Sequence, residues 1–367
     1  MAAGGGRRLE TFLVPLVLVA IALFVASRGI VSDIGVYRGY ALGFLAHGAL
    51  PREYPPLAIV PMLLAQALAR LSHVSYAGAW LGLSALVLYL LALAVGRPLV
   101  IVALLPLSPA LLGTYDIWPI LCLVLSYRLL PRRPALSWLL LGVAIAFKLF
   151  PILFIPLWWQ TERRGWGLAL LPLLTLYPPA MASVVHYQFA RQAEWESTVS
   201  FLSWLLGSPG MVLRHAFGAE EFYGRFSAAL SIGLDAAYAL FFVWIAFLRR
   251  DLGMASRMLL LLSLWFLTNK VLSVQYVFWV VSLAYAAGQD LMLFGVLAWL
   301  TALLYPWFGV ISSGLAGLFH LPRTIVWTMR LAMSLVGVRL ALWLLIALRL
   351  LRRGRAPAQA AAVAREG

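Results

Sequence analysis

The sequence predicts an all-α polytopic membrane protein with about 12 transmembrane helices. Apolar residues make up 63% of the 367-residue chain, charged residues make up 11%, and the mean hydropathy is +0.94. A soluble domain has charged side chains at about a quarter of its positions. This composition excludes an ordinary soluble domain and indicates that most of the chain is buried in lipid or packed against lipid-embedded helices.

Apolar segments follow one another along the whole chain, and several are shorter than the roughly 20 residues that cross a bilayer upright. They occupy residues 11–27, 54–71, 76–95, 98–113, 116–130, 136–158, 166–183, 228–248, 255–270, 273–287, 290–308 and 323–350. The short segments must be tilted, broken or partly buried in protein. We predict one membrane domain over residues 1–350 and a basic, Ala-rich, disordered cytoplasmic tail over residues 351–367.

Arginine clusters set the expected orientation in the membrane. They lie beside the apolar segments at residues 7–8, 132–133, 163–164, 249–250 and 352–355. This pattern is typical of cytoplasmic loops and does not suggest nucleic-acid binding. With 12 crossings both termini are cytoplasmic, and the long loops 28–53 and 184–227 are external. Both loops are rich in aromatic residues, which predicts interfacial helices in them.

One cluster disagrees with this count, because Arg128, Arg132 and Arg133 fall on the external side. Dividing segment 136–158 at Lys148 into two short helices corrects the orientation only if another apolar segment does not cross. The sequence leaves this point open.

Asp33 is the first candidate for chemistry. It follows the first apolar segment and precedes an aromatic-rich stretch that ends in Tyr54-Pro55-Pro56-Leu57. A carboxylate at the boundary between membrane and water can act as a base if its surroundings give it a suitable pKa. The alternative is that Asp33 caps the next helix. Arg38 and Arg52 are candidate phosphate contacts, and Tyr54 is a candidate to line the site.

Asp116 is a second carboxylate beside an apolar segment. It opens segment 116–130 and follows a Ser-Pro pair at residues 108–109. It could act in catalysis by positioning the acceptor. The alternative is again a helix cap.

Lys148 lies inside an apolar run and is followed by Leu149-Phe150-Pro151. A charged residue inside a membrane segment is costly, and it is a functional candidate by default. A phosphate group is a natural partner for a cation on a broken helix. The alternative is that the side chain snorkels to the interface.

A polar turn lies between two apolar segments at residues 268–279. Lys270, Gln275 and Tyr276 could bind phosphate or sugar hydroxyl groups there. The alternative is a turn whose polar groups serve only to join two helices.

In this order, the motifs resemble those of the GT-C superfamily of membrane glycosyltransferases, most closely the family-87 type that uses polyprenyl-phosphate-mannose. The likeness covers roughly residues 9–290, with Asp33 where that family has its catalytic aspartate. Val274 stands where the family usually has proline. The resemblance implies a GT-C type bundle and inverting transfer of a sugar, mannose first, with Asp33 as general base. The donor would be a polyprenyl-phosphate-sugar, and the reaction would take place at the external face of the cell membrane.

Other classes remain open. A lipid or glycolipid transporter should carry paired broken helices and charges near the middle of the membrane, whereas a non-catalytic scaffold needs neither the aspartates nor the lysines. Cys122 is the single cysteine, and the histidines lack metal-ligand spacing, so the sequence predicts no disulfide, no metal and no cofactor. The expected partners are membrane lipids, the donor, and a glycolipid or glycan acceptor, with no nucleic acid. The sequence does not identify the acceptor.

Overall fold

The computed structural model describes residues 3–28, 33–190, 197–207, 220–270, 272–273, 275–305, 307 and 325–353. These residues form helices joined by turns, and no strand occurs among them, so the all-helical class is confirmed. In chain order the α-helices are α1 (Ala3–Arg28), α2 (Ile34–His47), α3 (Ile59–Ser72), α4 (Tyr76–Val95), α5 (Leu99–Leu104), α6 (Ser108–Gly113), α7 (Ile117–Leu129), α8 (Pro134–Phe147), α9 (Ile155–Thr161), α10 (Leu170–Leu173), α11 (Pro178–Ala190), α12 (Thr198–Gly207), α13 (Glu220–Val243), α14 (Met254–Thr268), α15 (Gln275–Ala287), α16 (Leu291–Leu304) and α17 (Ile325–Arg353). Residues 191–196 and 208–219 of the predicted second loop, and 354–367 of the predicted tail, lie outside the described residues.

Several helices have the length and composition of membrane spans. In the described chain, Tyr76–Val95, Ala228–Leu248 and Arg330–Arg352 are long and apolar enough to cross a membrane. Trp166–Leu173 and Pro178–Gln188 are long and apolar enough only as a pair, which is bent by 83° and is either a broken span or a re-entrant loop. Other apolar helices are only 10–17 residues long. The protein is therefore a helical membrane protein in which many apolar helices are shorter than an upright crossing.

Residue contacts divide the chain into two units, and each is described by itself. The first consists of Met1–Arg191 with Val281–Leu291, and the second of Gln192–Val280 with Met292–Gly367. The candidates Asp33, Asp116 and Lys148 belong to the first unit.

Within the first unit, α4 and α7 run parallel. Near the start of α4, Trp80 donates its indole N–H to the carbonyl of Leu112 on α6, at 3.0 Å. At the other end, the Arg128 guanidinium donates to the carbonyl of Ala94 at 3.2 Å and to that of Val95. Arg128 on α7 thus satisfies carbonyl groups that the C-terminus of α4 leaves without helical partners.

α8 runs antiparallel to α7. Near the turn between them, the Ser126 and Ser137 hydroxyls each donate to the other residue's carbonyl at 2.7 Å. At the far end, the Tyr115 hydroxyl donates to the carbonyl of Phe147 at 3.4 Å. The start of α7 and the end of α8 therefore lie side by side.

The predicted single segment 136–158 is divided in two. α8 ends before Lys148, whose backbone is extended (φ −153°, ψ 123°), and a 3₁₀ turn at Phe150–Phe154 leads into α9. A proline in that turn removes one backbone donor and favours the break. α9 runs back along α8, because Trp138 near the start of α8 donates to the carbonyl of Glu162 after α9, at 2.9 Å.

The chain enters α3 and exits from it at the same end of the first unit. The ring of Tyr54, which precedes α3, lies 6.2 Å from that of Tyr37. The ring of Trp80, which follows α3, lies 4.7 Å from the same tyrosine. The predicted apolar segment 54–71 therefore forms a helix that does not carry the chain from one end of the unit to the other.

The two ends of the first unit differ in chemistry. At the end where α4 and α7 finish, Arg128 binds carbonyl groups and Arg163 lies over the ring of Trp159 at 5.3 Å. The arginines of this end, called the arginine end, are Arg97, Arg128, Arg132, Arg133, Arg163 and Arg164. The opposite end, where α4 and α7 begin, carries Tyr37, Tyr54 and Tyr115 and is called the tyrosine end.

In the second unit, aromatic rings join α14, α15 and α17. Phe266 stacks on Tyr276 at a centroid distance of 4.9 Å and meets Trp343 edge-on at 5.7 Å. Lys270 follows α14 and lies within Coulombic range of Asp235 on α13.

Candidate active site

Asp33 lies at the tyrosine end, directly before α2. Its side chain is half-buried, and the Tyr37 hydroxyl donates to Asp33 Oδ2 at 3.2 Å. Within the described stretch 33–47, the Asp33 carboxylate makes no capping hydrogen bond to the helix. The capping role that was the alternative for this residue has no contact to support it. The carboxylate is held by a tyrosine instead.

Tyr37 connects Asp33 to two other elements. It is fully buried, and its hydroxyl accepts a hydrogen bond from the backbone N–H of Tyr115 at 3.4 Å. Its ring lies 4.7 Å from Trp80 on α4 and 6.1 Å from Tyr115 before α7. Aromatic pairs at such distances contribute about 0.5–1.5 kcal/mol each beyond their buried area. Packing, and not the loop alone, therefore fixes α2 and positions Asp33.

The Tyr-Pro-Pro turn brings Glu53 and Tyr54 to the same cluster. The Tyr54 ring lies 4.7 Å from the Tyr115 ring. Glu53 Oε1 accepts a hydrogen bond from the Tyr40 hydroxyl at 3.2 Å, and the Glu53 carbonyl accepts one from the Gln188 side-chain amide at 3.3 Å. The two prolines that follow restrict the backbone and hold this arrangement.

Asp116 and Lys148, two separate candidates in the sequence, form an ion pair with each other. Lys148 Nζ donates to Asp116 Oδ1. The Asp116 side chain is 0% exposed and that of Lys148 is 15% exposed, so the pair is buried. Nζ also lies 5.5 Å from the centre of the Tyr115 ring, which adds a cation–π contact. The break after α8 thus directs the lysine toward Asp116, and snorkelling does not describe its position.

The capping alternative for Asp116 also lacks its contact. Asp116 precedes α7, but its carboxylate makes no capping hydrogen bond to the described residues of that helix. Its carboxylate is committed to Lys148, which is 32 residues further along the chain.

The surroundings raise the pKa of the Asp33 carboxyl. Burial away from water is the main cause, and the negative charges of Asp116 and Glu53 act in the same direction. The hydrogen bond from Tyr37 and the positive charge of Lys148 lower the pKa without reversing the shift. A carboxylate with a raised pKa is a stronger proton acceptor, as a general base requires.

Two hydrogen-bonding groups flank Asp116 without a partner among the described residues. They are the hydroxyl of Thr114 and the indole N–H of Trp118, and both atoms are buried. Thr114 is only 8% exposed, and Trp118 packs against the cluster that includes Tyr37 and Tyr115. Buried polar groups nearly always have partners, so these two call for an explanation in terms of ligand or water.

The remaining candidates divide between the units. Arg38 and Arg52 are exposed and belong to the first unit, on α2 and on the loop before α3. Lys270, Gln275 and Tyr276 belong to the second unit, where Tyr276 stacks on an aromatic ring of α14. The binding roles of all five stay predictions.

Sequence reasoning missed the residues that hold this site together. Tyr37 counted only among the aromatic residues of loop 28–53, and Tyr115, Trp80, Thr114 and Trp118 were not singled out. A spacing signal existed for Tyr37, because position i+4 on a helix lies above position i, which here is Asp33. No comparable local signal exists for the other residues.

No group of three or more His, Cys, Asp or Glu side chains in the described part of the chain could hold a metal ion. Comparison with protein-family models, with curated proteins and with solved structures finds no match.

As a general base, Asp33 would set the acid limb of a pH–rate profile, and replacing Tyr37 by phenylalanine should move that limb to higher pH. The lost hydrogen bond favours the charged form of Asp33, so the pKa of Asp33 rises further without it. The measurement is the reaction rate as a function of pH. Tyr76→Phe is the control, because the Tyr76 hydroxyl donates to the carbonyl of Met62. An acid limb that stays in place in Tyr37→Phe would contradict the link to Asp33.

Proposed function

We propose that this protein is a membrane glycosyltransferase of the GT-C type. It transfers a sugar, with mannose the first candidate, from a polyprenyl-phosphate-sugar to a hydroxyl group of a glycolipid or glycan. The observation that carries the proposal is the half-buried Asp33. Its carboxylate is not used as a helix cap, has a raised pKa and lies in Coulombic range of the buried Asp116–Lys148 pair.

The reaction needs one base and one leaving group. Asp33 takes the proton of the acceptor hydroxyl as the acceptor oxygen attacks the anomeric carbon of the sugar. The bond between that carbon and the phosphate oxygen breaks, and the polyprenyl phosphate leaves with both bonding electrons. Attack from the face opposite the leaving group inverts the anomeric configuration. No metal and no cofactor takes part in this scheme.

One ring near Asp33 suits a sugar substrate. Tyr37, Tyr54, Tyr115 and Trp80 pack on one another. Tyr37, Tyr115 and Trp80 are fully buried, whereas Tyr54 is half-buried and is the ring of this group that a ligand can meet. Ligand sites combine such apolar surfaces with a few polar groups that fix orientation. Asp33, Glu53 and Lys148 would supply the polar groups here.

We further propose that the arginine end is cytoplasmic and the tyrosine end is external, in the cell membrane. Arginine-rich ends of membrane helices face the cytoplasm. Twelve crossings then run through α1, α4, α5 with α6, α7, α8, α9, α10 with α11, α13, α14, α15, α16 and α17. In this topology α3 stays at the external face and does not cross. The total remains 12 because the division at Lys148 turns one predicted crossing into two, α8 and α9. The arginines at 128–133 and 249–250 then both fall on the cytoplasmic side.

Cysteine labelling tests this orientation. In a Cys122→Ala background, His47→Cys on α2 should react with an impermeant maleimide on intact cells, because position 47 is exposed at the tyrosine end. Arg132→Cys, which is equally exposed at the arginine end, should react only after the membrane is permeabilised. Labelling of both positions from the same side would contradict the proposed orientation.

One observation favours a transporter as the second candidate. Trp166–Leu173 and Pro178–Gln188 form a bent apolar pair, and broken helices are typical of transporter binding sites. The described chain contains one such bent pair, whereas transporters built from two repeats carry a broken helix in each repeat.

A transfer assay separates the two functions. Purified protein is incubated with polyprenyl-phosphate-mannose labelled in the sugar and with a lipid extract from the same cells. The glycosyltransferase hypothesis expects label in a new glycolipid or glycan product. The transporter hypothesis expects labelled donor to move between leaflets of proteoliposomes without chemical change.

A further inference from the structure

We propose that Lys148 and the Thr114–Trp118 turn bind the sugar of the donor, through its hydroxyl groups, and do not bind its phosphate. This inference rests on the proposed function and assigns a substrate part to one region of the site. The sequence alone suggested phosphate for Lys148, because an isolated cation in an apolar segment favours an anion. The geometry points to a different partner.

Charge disfavours a phosphate at Lys148. Lys148 is paired with Asp116, so its ammonium already faces a carboxylate. Among the described residues, the charged side chains that act on Asp33 are Asp116, Glu53 and Lys148. Together with Asp33 they comprise three carboxyl groups and one ammonium, so their ionised forms carry a net of two negative charges. A phosphate placed there would be repelled, whereas a neutral sugar would not.

The hydrogen-bonding groups beside Asp116 in the sequence suit sugar hydroxyls. The Thr114 hydroxyl can both donate and accept, and the Trp118 indole N–H donates. Both are buried without partners among the described residues, and they lie two residues before and two residues after Asp116 in the chain. Neutral donors of this kind match the hydroxyl oxygens of a sugar. A polar ligand that reaches them would recover the free energy that burial without a partner costs.

Lys148 is the more accessible member of the ion pair. Asp116 is fully buried, while the Lys148 side chain keeps 15% of its surface. Asp116 is therefore a positioning residue that neutralises and orients Lys148, and Lys148 is the member of the pair that meets the ligand. Arg38 and Arg52 are exposed and belong to the same unit, so they remain the first-unit candidates for the phosphate.

Binding of two ligands tests the assignment. One is polyprenyl-phosphate-mannose, and the other is polyprenyl phosphate, which has the phosphate and the tail but no sugar. Thr114→Val removes the hydroxyl with little change in shape, and Trp118→Phe removes the indole N–H together with one ring of the side chain. Each should weaken binding of the mannose-bearing ligand about 3- to 10-fold and leave binding of polyprenyl phosphate unchanged within about 2-fold.

The role of Lys148 is tested with a double variant, because replacing Lys148 alone would leave the buried Asp116 carboxylate without its partner. The double variant Asp116→Asn/Lys148→Gln keeps two neutral hydrogen-bonding side chains in place of the ion pair. It should weaken binding of the mannose-bearing ligand and spare polyprenyl phosphate. Arg38→Gln and Arg52→Gln are the matched controls, and they should weaken both ligands by the same factor.

Equal losses for both ligands in Thr114→Val, Trp118→Phe and the double variant would overturn the inference and return Lys148 to the phosphate. The wild-type protein is assayed for transfer in parallel. Absence of any transfer product would refute the proposed function. Transfer by the wild type together with equal losses for both ligands would refute only the assignment of the sugar.

Discussion

Asp33→Asn is expected to lower the rate of sugar transfer by about 10²–10⁴-fold, which is the usual contribution of a general base. Asparagine keeps the shape of the side chain and can still accept a hydrogen bond from Tyr37, so the local structure should persist. It cannot take the proton of the acceptor hydroxyl. Donor binding should therefore change little while turnover falls.

The same substitution should not destabilise the fold at neutral pH. The pKa of Asp33 is raised in the folded protein, mainly by burial, so the folded state holds its proton more tightly than the unfolded state does. Ionisation of Asp33 therefore opposes folding once the pH exceeds the pKa of the unfolded chain, and this cost is relieved as the pH falls below the folded pKa. A neutral asparagine removes the cost. Thermal unfolding in detergent should give an equal or higher Tm for Asp33→Asn at pH 7.

Glu53→Gln is the matched control for this pair of measurements. Glu53 is a carboxylate of the same cluster and raises the pKa of Asp33, but its own side chain is engaged by Tyr40. Its loss should lower the pKa of Asp33 and shift the acid limb of the rate profile to lower pH, with a much smaller effect on the maximal rate. A well-folded Asp33→Asn protein with near-normal transfer would exclude Asp33 as the base.

Local pattern carried the prediction of the helix that bears the site. The aromatic residues of loop 28–53 predicted a helix in that loop, and α2 occupies Ile34–His47. Gly48 ends it in a left-handed conformation (φ 67°) that glycine adopts without strain. The side chains nearest Asp33, such as that of Tyr37, are close in sequence, so they too were open to prediction.

Hydropathy did not predict the direction in which each apolar segment runs. Segment 54–71 is apolar, yet Tyr54 before α3 and Trp80 after α3 both lie beside Tyr37. Apolar composition does not distinguish a helix that crosses a membrane from one that packs against its own neighbours. The arginines at 128–133 disagreed with the simple count, and the proposed orientation removes this disagreement by keeping α3 at the external face and dividing segment 136–158 at Lys148.

Long-range pairing was beyond the sequence. Asp116 and Lys148 were each identified as costly charges in an apolar chain, and each was assigned a ligand. They lie 32 residues apart, directly before α7 and directly after α8, and their pairing follows from the antiparallel packing of these two helices. Pairing of opposite charges is the general solution for ionisable residues in membrane segments. No spacing rule states which two will meet.

The Asp116–Lys148 pair should be the most sensitive point of the fold to single substitution. Lys148→Met should lower the free energy of unfolding by about 3–5 kcal/mol, because it leaves the fully buried Asp116 carboxylate without its charge partner. Asp116→Leu should have an effect of the same sign, because it leaves the ammonium buried. Both are measured by unfolding in a denaturing detergent, followed by the near-ultraviolet signal of the tryptophans.

The double variant Asp116→Leu/Lys148→Met distinguishes a lost attraction from a stranded charge. Replacing both members of a buried pair by apolar residues is often neutral or stabilising. The double variant should therefore recover most of the stability that either single variant loses.

Arg249 and Asp251 provide the comparison within the same chain, since they pair at 2.8 Å with Asp251 44% exposed. Asp251→Asn should cost at most about 1 kcal/mol. Asp116→Leu/Lys148→Met could instead be no more stable than the less stable of its two single variants. That result would mean that the pair contributes through attraction that apolar packing cannot replace. In that case the high cost of the single variants would not come from an uncompensated buried charge.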